Sequence, residues 1–133
     1  MKATKTVLLD ANIILRFLRE DQPEHVRRVK NLFEQAEKGA LACYIDPVIL
    51  AEAVWTLSSF YKVNRTEITV KLETLLAQKW MVNEHKQMLL SALHQYQETN
   101  LDYIDCWLLA VSEEHHIPIE TFDKKLQKYD LFL

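Results

Sequence analysis

Residues 5–18 read KTVLLDANIILRFL: a β-branched and aliphatic run, one carboxylate, one amide, then a second apolar run. KTVLLD carries no helical stripe and ends on Asp10, which predicts a short buried strand, and NIILRFLRED predicts a short helix directly after it. An acid in that place loses hydration when its neighbours fold into a core, so Asp10 needs a reason.

The same strand-then-helix unit recurs downstream. PEHVRRVKNLFEQAEKG (23–39) sets Val26, Val29, Leu32, Phe33 and Ala36 at helical spacing, with Pro23 in the first turn and Gly39 as the stop. LACYI (41–45) is a second strand, and DPVILAEAVWTLSSFY (46–61) a helix with Asp46 as cap and Pro47 at its first position. Thr66 precedes an amphipathic helix within NRTEITVKLETLLAQK, WMV (80–82) is a brief edge strand, and EHKQMLLSALHQYQETN (84–100) is again helical. LDYIDCWLLAVSEEHH (101–116) opens with Asp102 as a cap, IPIETF (117–122) is a short strand, and DKKLQKY gives one or two helical turns. No repeat, linker or low-complexity segment interrupts this order. Strands interleaved with helices imply an α/β layer with a mostly parallel sheet, whose ligands bind beyond the carboxyl ends of the strands.

The chain has 133 residues, the usual size for one domain, and a single domain over 1–133 is expected. Its net charge of −3 argues against binding polyanions by bulk positive charge, so any contact with nucleic acid falls to local patches. Lys2 and Lys5 precede an apolar run that Asp10 and Arg16 interrupt, which fits neither a signal peptide nor a membrane span; a cytoplasmic address without membrane contact is expected. Cys43 and Cys106 lack paired ligand spacing and read as small core residues. The five histidines show no ligand spacing to one another, and His115 and His116 suit the negative end of a helix. A single glycine leaves no glycine-rich phosphate loop.

The acids are what remain to explain. Asp10, Asp102 and Asp123 each stand where a helix cap would. Glu52 is harder to place, because VILAEAVWTL is apolar on every face of a helix and leaves the carboxylate no solvated side; a buried charge needs compensation. Asp105 lies three residues after Asp102, on the same face of the helix that continues CWLLAV. These positions converge on one cleft of an α/β fold. Several carboxylates meeting there repel one another unless a cation sits among them, and hard oxygen ligands select Mg²⁺ or Mn²⁺. Such a site suits phosphodiester hydrolysis. Arg16, Arg19, Lys124, Lys125 and Lys128 follow the first and fourth acids closely and could hold RNA phosphates at the cleft rim, or be ordinary solvated charge. Trp55, Phe60 and Tyr61 read as core or dimer surface.

LLDANIILRFL, PVILAEAVWTL and LDYIDCWLLAVSEEHHIPIETFDKKL together resemble, in order and over nearly the whole chain, the motifs of PIN-domain proteins, especially VapC-type toxin ribonucleases. The resemblance implies a three-layer α/β/α fold with a central, mostly parallel sheet and a Mg²⁺- or Mn²⁺-dependent endoribonuclease whose metal-binding catalytic acids are Asp10, Glu52, Asp105 and Asp123. It further implies supporting roles for Asn12, Asp102 and Thr121, an RNA substrate, a cognate antitoxin and frequent homodimers. Two positions depart from the family pattern: Asp46 stands where many relatives carry Ser or Thr, and His116 where a Gly often ends the helix. The rival readings are a catalytically silent PIN-like module that binds nucleic acid or a partner, and a phosphoaspartyl hydrolase, which would want a second acid where Asn12 stands.

Overall fold

The computed structural model describes residues 5–132; Lys2, one of the two lysines ahead of the first apolar run, lies outside them. The elements run β1 (Lys5–Leu8), α1 (Ala11–Arg19), α2 (Pro23–Glu37), β2 (Leu41–Tyr44), α3 (Pro47–Ser59), α4 (Arg65–Leu76), α5 (Lys86–Glu98), α6 (Tyr103–His115) and α7 (Lys124–Gln127). β1 and β2 pair in parallel, with Lys5 opposite Leu41 and Leu8 opposite Tyr44, and the Leu9 amide extends the ladder by donating to the Tyr44 carbonyl. The predicted WMV strand is reduced to one parallel bridge, Met81 to Cys43, on the far side of β2.

The core forms where the helices meet this sheet. Ile14, Ile45, Leu50, Leu57, Leu72, Leu89, Leu93 and Leu109 are fully buried within it. β2 is buried along most of its length, as a strand covered on both faces must be. α1 packs on α2 and α3, α2 also on β2, α5 on α4 and α6, and α3 touches α1, α4 and α6. The result is the expected three-layer α/β/α arrangement built on a narrow parallel sheet. Both cysteines are buried, and burial pushes the Cys43 thiol up to about 11, which leaves it inert.

Local chemistry explains most boundaries. Pro23 and Pro47 start α2 and α3, and the Asp46 side chain caps α3 by accepting from the Val48 amide. α4 begins two residues earlier than Thr66 would place it, because Asn64 is the cap and accepts from the Glu67 amide. Gly39 has φ +83°, a left-handed conformation that favours glycine. With that residue used after α2, the left-handed ends of α1 and α6 fall to Glu20 (φ 52°) and His116 (φ 56°). The histidine that departs from the family pattern thus occupies a glycine-like conformation.

Two expectations are corrected. Residues 117–122 form no strand: Pro118 has no amide to give a ladder, the Ile119 amide donates to the Asp130 carboxylate at 2.8 Å, and the Ile117 carbonyl accepts from the Ser112 hydroxyl. Consequently β1 is not buried as predicted. It pairs with β2 alone among the described residues, and Leu8 is 75% exposed.

Candidate functional site

Asp10 and Asp46 follow the carboxyl ends of the two parallel strands, so the starts of α1 and α3 lie at the same edge of the sheet. Asp10 is the N-cap of α1, its Oδ1 accepting from the Ala11 amide at 2.8 Å. Asp123 caps α7 with its Oδ1, which accepts from the Lys125 and Leu126 amides. Each cap thus engages only Oδ1, so capping and cation binding are compatible uses of one carboxylate. The Thr121 hydroxyl accepts from the Asp123 amide at 3.0 Å and the Thr121 carbonyl from the Gln127 side chain, which fixes the turn that presents Asp123.

Asp102 occupies the N-cap position of α6, yet its side chain makes no capping bond. Capping therefore does not account for that carboxylate. Asp105, one turn on, is half-buried, and its carboxyl is raised above the ordinary value by burial first, then by the charges of Asp102 and Asp123, with Lys125 opposing. The structure thus brings Asp102, Asp105 and Asp123 within Coulombic reach of one another. A set of hard oxygen donors that repel one another fits Mg²⁺ or Mn²⁺ in chemistry. In position the fit is incomplete: among the described residues no three His, Cys, Asp or Glu side chains stand close enough to hold one ion.

Glu52 corrects the argument that singled it out. It is exposed, on the same outer stripe of α3 as Val48 (73% exposed) and Trp55 (66%). The helix is apolar on every face because this stripe is apolar and open, not because all faces are buried, so Glu52 has a solvated side after all. Trp55 and Phe60 are likewise exposed rather than core, while Tyr61 is half-buried. Asn12 is exposed on the first turn of α1 and makes no hydrogen bond to Asp10 among the described residues.

The basic residues near the acids have other partners. Arg16 pairs with Asp21 at 2.8 Å and donates to the Tyr61 hydroxyl, Arg19 lies 4.6 Å over the Tyr61 ring, and Lys125 donates to the Asn100 carbonyl. Lys124 is exposed.

Sequence reasoning missed two residues. Arg65, at the start of α4, lines a hollow of about 340 Å³ together with Asp102, Asp105, Tyr103 and Trp55. Its Nη1 donates to the Tyr96 and Leu101 carbonyls at 2.8 and 2.7 Å, and its guanidinium lies 4.1 Å over the Tyr96 ring. Asn83 is buried and pairs through both ends of its amide with the backbone of Ile45, the residue that leads into Asp46 and α3. Nothing in the sequence marks either: one is a lone arginine after a cap, the other a lone amide in a connection.

A family model described as PIN domain matches residues 7–131. The chain is 26% identical over 122 residues to a VapC ribonuclease of Aquifex aeolicus (strain VF5), a match that covers 91% of this chain and 90% of that protein. No solved structure gives a significant match.

Proposed function

The chain belongs to the PIN-domain family, and from that premise we propose that it is a Mg²⁺- or Mn²⁺-dependent endoribonuclease, the toxin of a toxin-antitoxin pair. The single observation that carries the chemistry is the group around Asp105, a half-buried carboxyl raised by burial and by Asp102 and Asp123. Acids that raise one another's proton affinity bind a cation in competition with protons.

In this reading Asp10, Glu52, Asp105 and Asp123 hold the ion. When bound, the ion supplies positive charge to the phosphoryl oxygens and a water of lowered pKa. Asp10 and Asp123 are held rigidly through the amides that cap onto their Oδ1 atoms. Thr121 steadies Asp123 through its backbone. Asp102, free of capping, adds negative charge beside Asp105, and Asn12, exposed two residues after Asp10, is available to a water or a substrate oxygen. Arg16, Arg19, Lys124 and Lys125 form the rim on the side of α1 and α7; the internal partners of Arg16, Arg19 and Lys125 limit what they offer RNA.

The relative that matches most of the chain is named a ribonuclease of the VapC kind, which supports RNA as substrate and a cognate antitoxin as partner. The exposed Val48 and Trp55 on the outer stripe of α3, with exposed Phe60 just past the end of that helix, support a homodimer, since exposed apolar side chains gathered on one element suit an interaction surface. No helix among the described residues is long and apolar enough to cross a membrane. A silent binding module is the second reading, and the spread of the acids favours it, because no three ligating side chains close around one point.

Cleavage decides between the two. Protein stripped with chelator and then given Mn²⁺ or Mg²⁺ is expected to cut at least one RNA of a defined structured and single-stranded set, and to cut none while the chelator remains. Absence of cutting at every metal level supports the silent module.

A further inference from the structure

The hollow that holds Asp102 and Asp105 does not end at Arg65. Arg65 and Ser58 also line a larger, open groove of about 980 Å³ along the start of α4, whose other walls include Asn64, Thr66, Lys71 and Gln97. The two hollows adjoin at their shared residues Arg65 and Ser58, and the character of the lining changes along the trough they outline. One end carries carboxylates; the other carries two cations, hydroxyls and side-chain amides, with Glu67 as the opposing charge.

Arg65 is the hinge of that change. Its Nη1 is held by two backbone carbonyls and its face by an aromatic ring, all neutral groups. The ion pairs among the described residues join Arg16 to Asp21 and Lys30 to Glu20, and neither involves Arg65 or Lys71. The guanidinium is therefore fixed in direction by neutral groups and, although Asp102 and Asp105 line the same hollow, forms no ion pair with them among the described residues, which leaves it able to grip a phosphate at little further entropic cost. Arg16 and Arg19 are engaged by Asp21 and Tyr61 on the other side of α1, which moves the expected phosphate contacts away from them.

We propose that the RNA strand runs from the acids along this trough, with Arg65 and Lys71 on its phosphates and the polar side chains around them facing its bases. The proposal rests on the ribonuclease reading for the identity of the strand. It takes single-stranded RNA rather than a duplex, because unstacked bases present edges to hydroxyl and amide groups while a phosphate recurs at every nucleotide.

The test measures binding rather than cutting. A fluorescent, unstructured RNA of twelve nucleotides is titrated with Asp10→Asn protein and followed by anisotropy across a series of salt concentrations. Lys71→Gln and Arg65→Gln in that background are each expected to weaken binding several-fold and to reduce the slope of log K against log salt by about 0.7, the share of one phosphate contact on a single strand. Arg65→Lys keeps the charge and is expected to restore most of the slope. Because Lys71 is half-buried and takes no part in the hydrogen bonds that hold Arg65, its variant remains informative even if Arg65→Gln unfolds. Unchanged affinity and slope in folded Lys71→Gln, no binding of the RNA by the parent, or equal competition by polyglutamate would each overturn the proposal. If the groove variants behave as expected and protein with all its acids cuts nothing, the nuclease reading fails and the RNA path stands.

Discussion

Asp105→Asn is expected to lower kcat/KM for RNA cleavage by more than about 100-fold, since losing a carboxylate of the metal site costs at least as much as losing its supporting partners. The same variant is expected to be more stable than the wild type in the absence of divalent ions. In the folded chain the Asp105 carboxyl is raised from its ordinary 3.8 by burial, Asp102 and Asp123, so its ionised form is less favourable there than in the unfolded chain. The folded state holds the proton more tightly, and stability therefore falls as pH rises through the raised value. The asparagine avoids that loss. Its advantage is greatest at neutral pH, shrinks as pH falls through the raised value, and is gone below 3.8, where the carboxyl is protonated in both states. Thermal melts of metal-free protein between acid and neutral pH measure this directly. A variant that melts below the wild type at neutral pH shows Asp105 to be structural, and one that cuts RNA at the wild-type rate removes it from the metal site.

Asn83→Ala is expected to be among the most damaging single changes away from the acids. The Asn83 amide accepts from the Ile45 N–H at 3.1 Å and donates to the Ile45 carbonyl, and Ile45 is fully buried. In effect the side chain continues the sheet where β2 ends, satisfying one backbone residue on its way into α3. Removing it strands a buried donor and a buried acceptor at about 1–3 kcal/mol each, so a loss of about 2–6 kcal/mol is expected. In a domain of this size that lowers Tm by about 10 °C. Asn83→Asp keeps the shape and one acceptor but sets a carboxylate oxygen against the Ile45 carbonyl in a buried place, and is expected to cost at least as much as Asn83→Ala at neutral pH. Equal Tm values for Asn83→Ala and wild type would mean that water replaces the amide without penalty.

Much of the fold was legible because its boundaries are set by local chemistry. Pro23, Pro47, Asp46 and Gly39 mark helix ends through dihedral preference and capping, and the structure puts α2 and α3 between them. The segment at 117–122 failed for a reason visible in principle: its aliphatic alternation favours a strand, but Pro118 withholds a ladder donor and two side chains capture neighbouring backbone groups. The depth of β1 failed with it, since a strand is buried only if something pairs with or covers its free edge.

The candidate site was legible in its residue types more than in its geometry. Asp102, Asp105 and Asp123 gather as helix starts in an α/β fold should. Glu52 was singled out by the wrong argument, because an all-apolar helix is equally consistent with an outer face left open for a partner. Arg65 and Asn83 act through carbonyls and amides far away in sequence, from 31 to 38 residues. A backbone group has no signature in a one-dimensional pattern, so neither residue could be found before folding.

The claim on which the rest depends is that Asp10, Glu52, Asp105 and Asp123 serve one metal centre although they do not close on a single point among the described residues. Titration of metal-free protein with Mn²⁺, read by electron paramagnetic resonance of the free ion, measures it without reference to any RNA. Saturable binding to the wild type, weakened at least about tenfold in each of Asp10→Asn, Glu52→Gln, Asp105→Asn and Asp123→Asn, is the predicted result. Wild-type affinity retained in Asp10→Asn and Asp105→Asn, both folded, contradicts it.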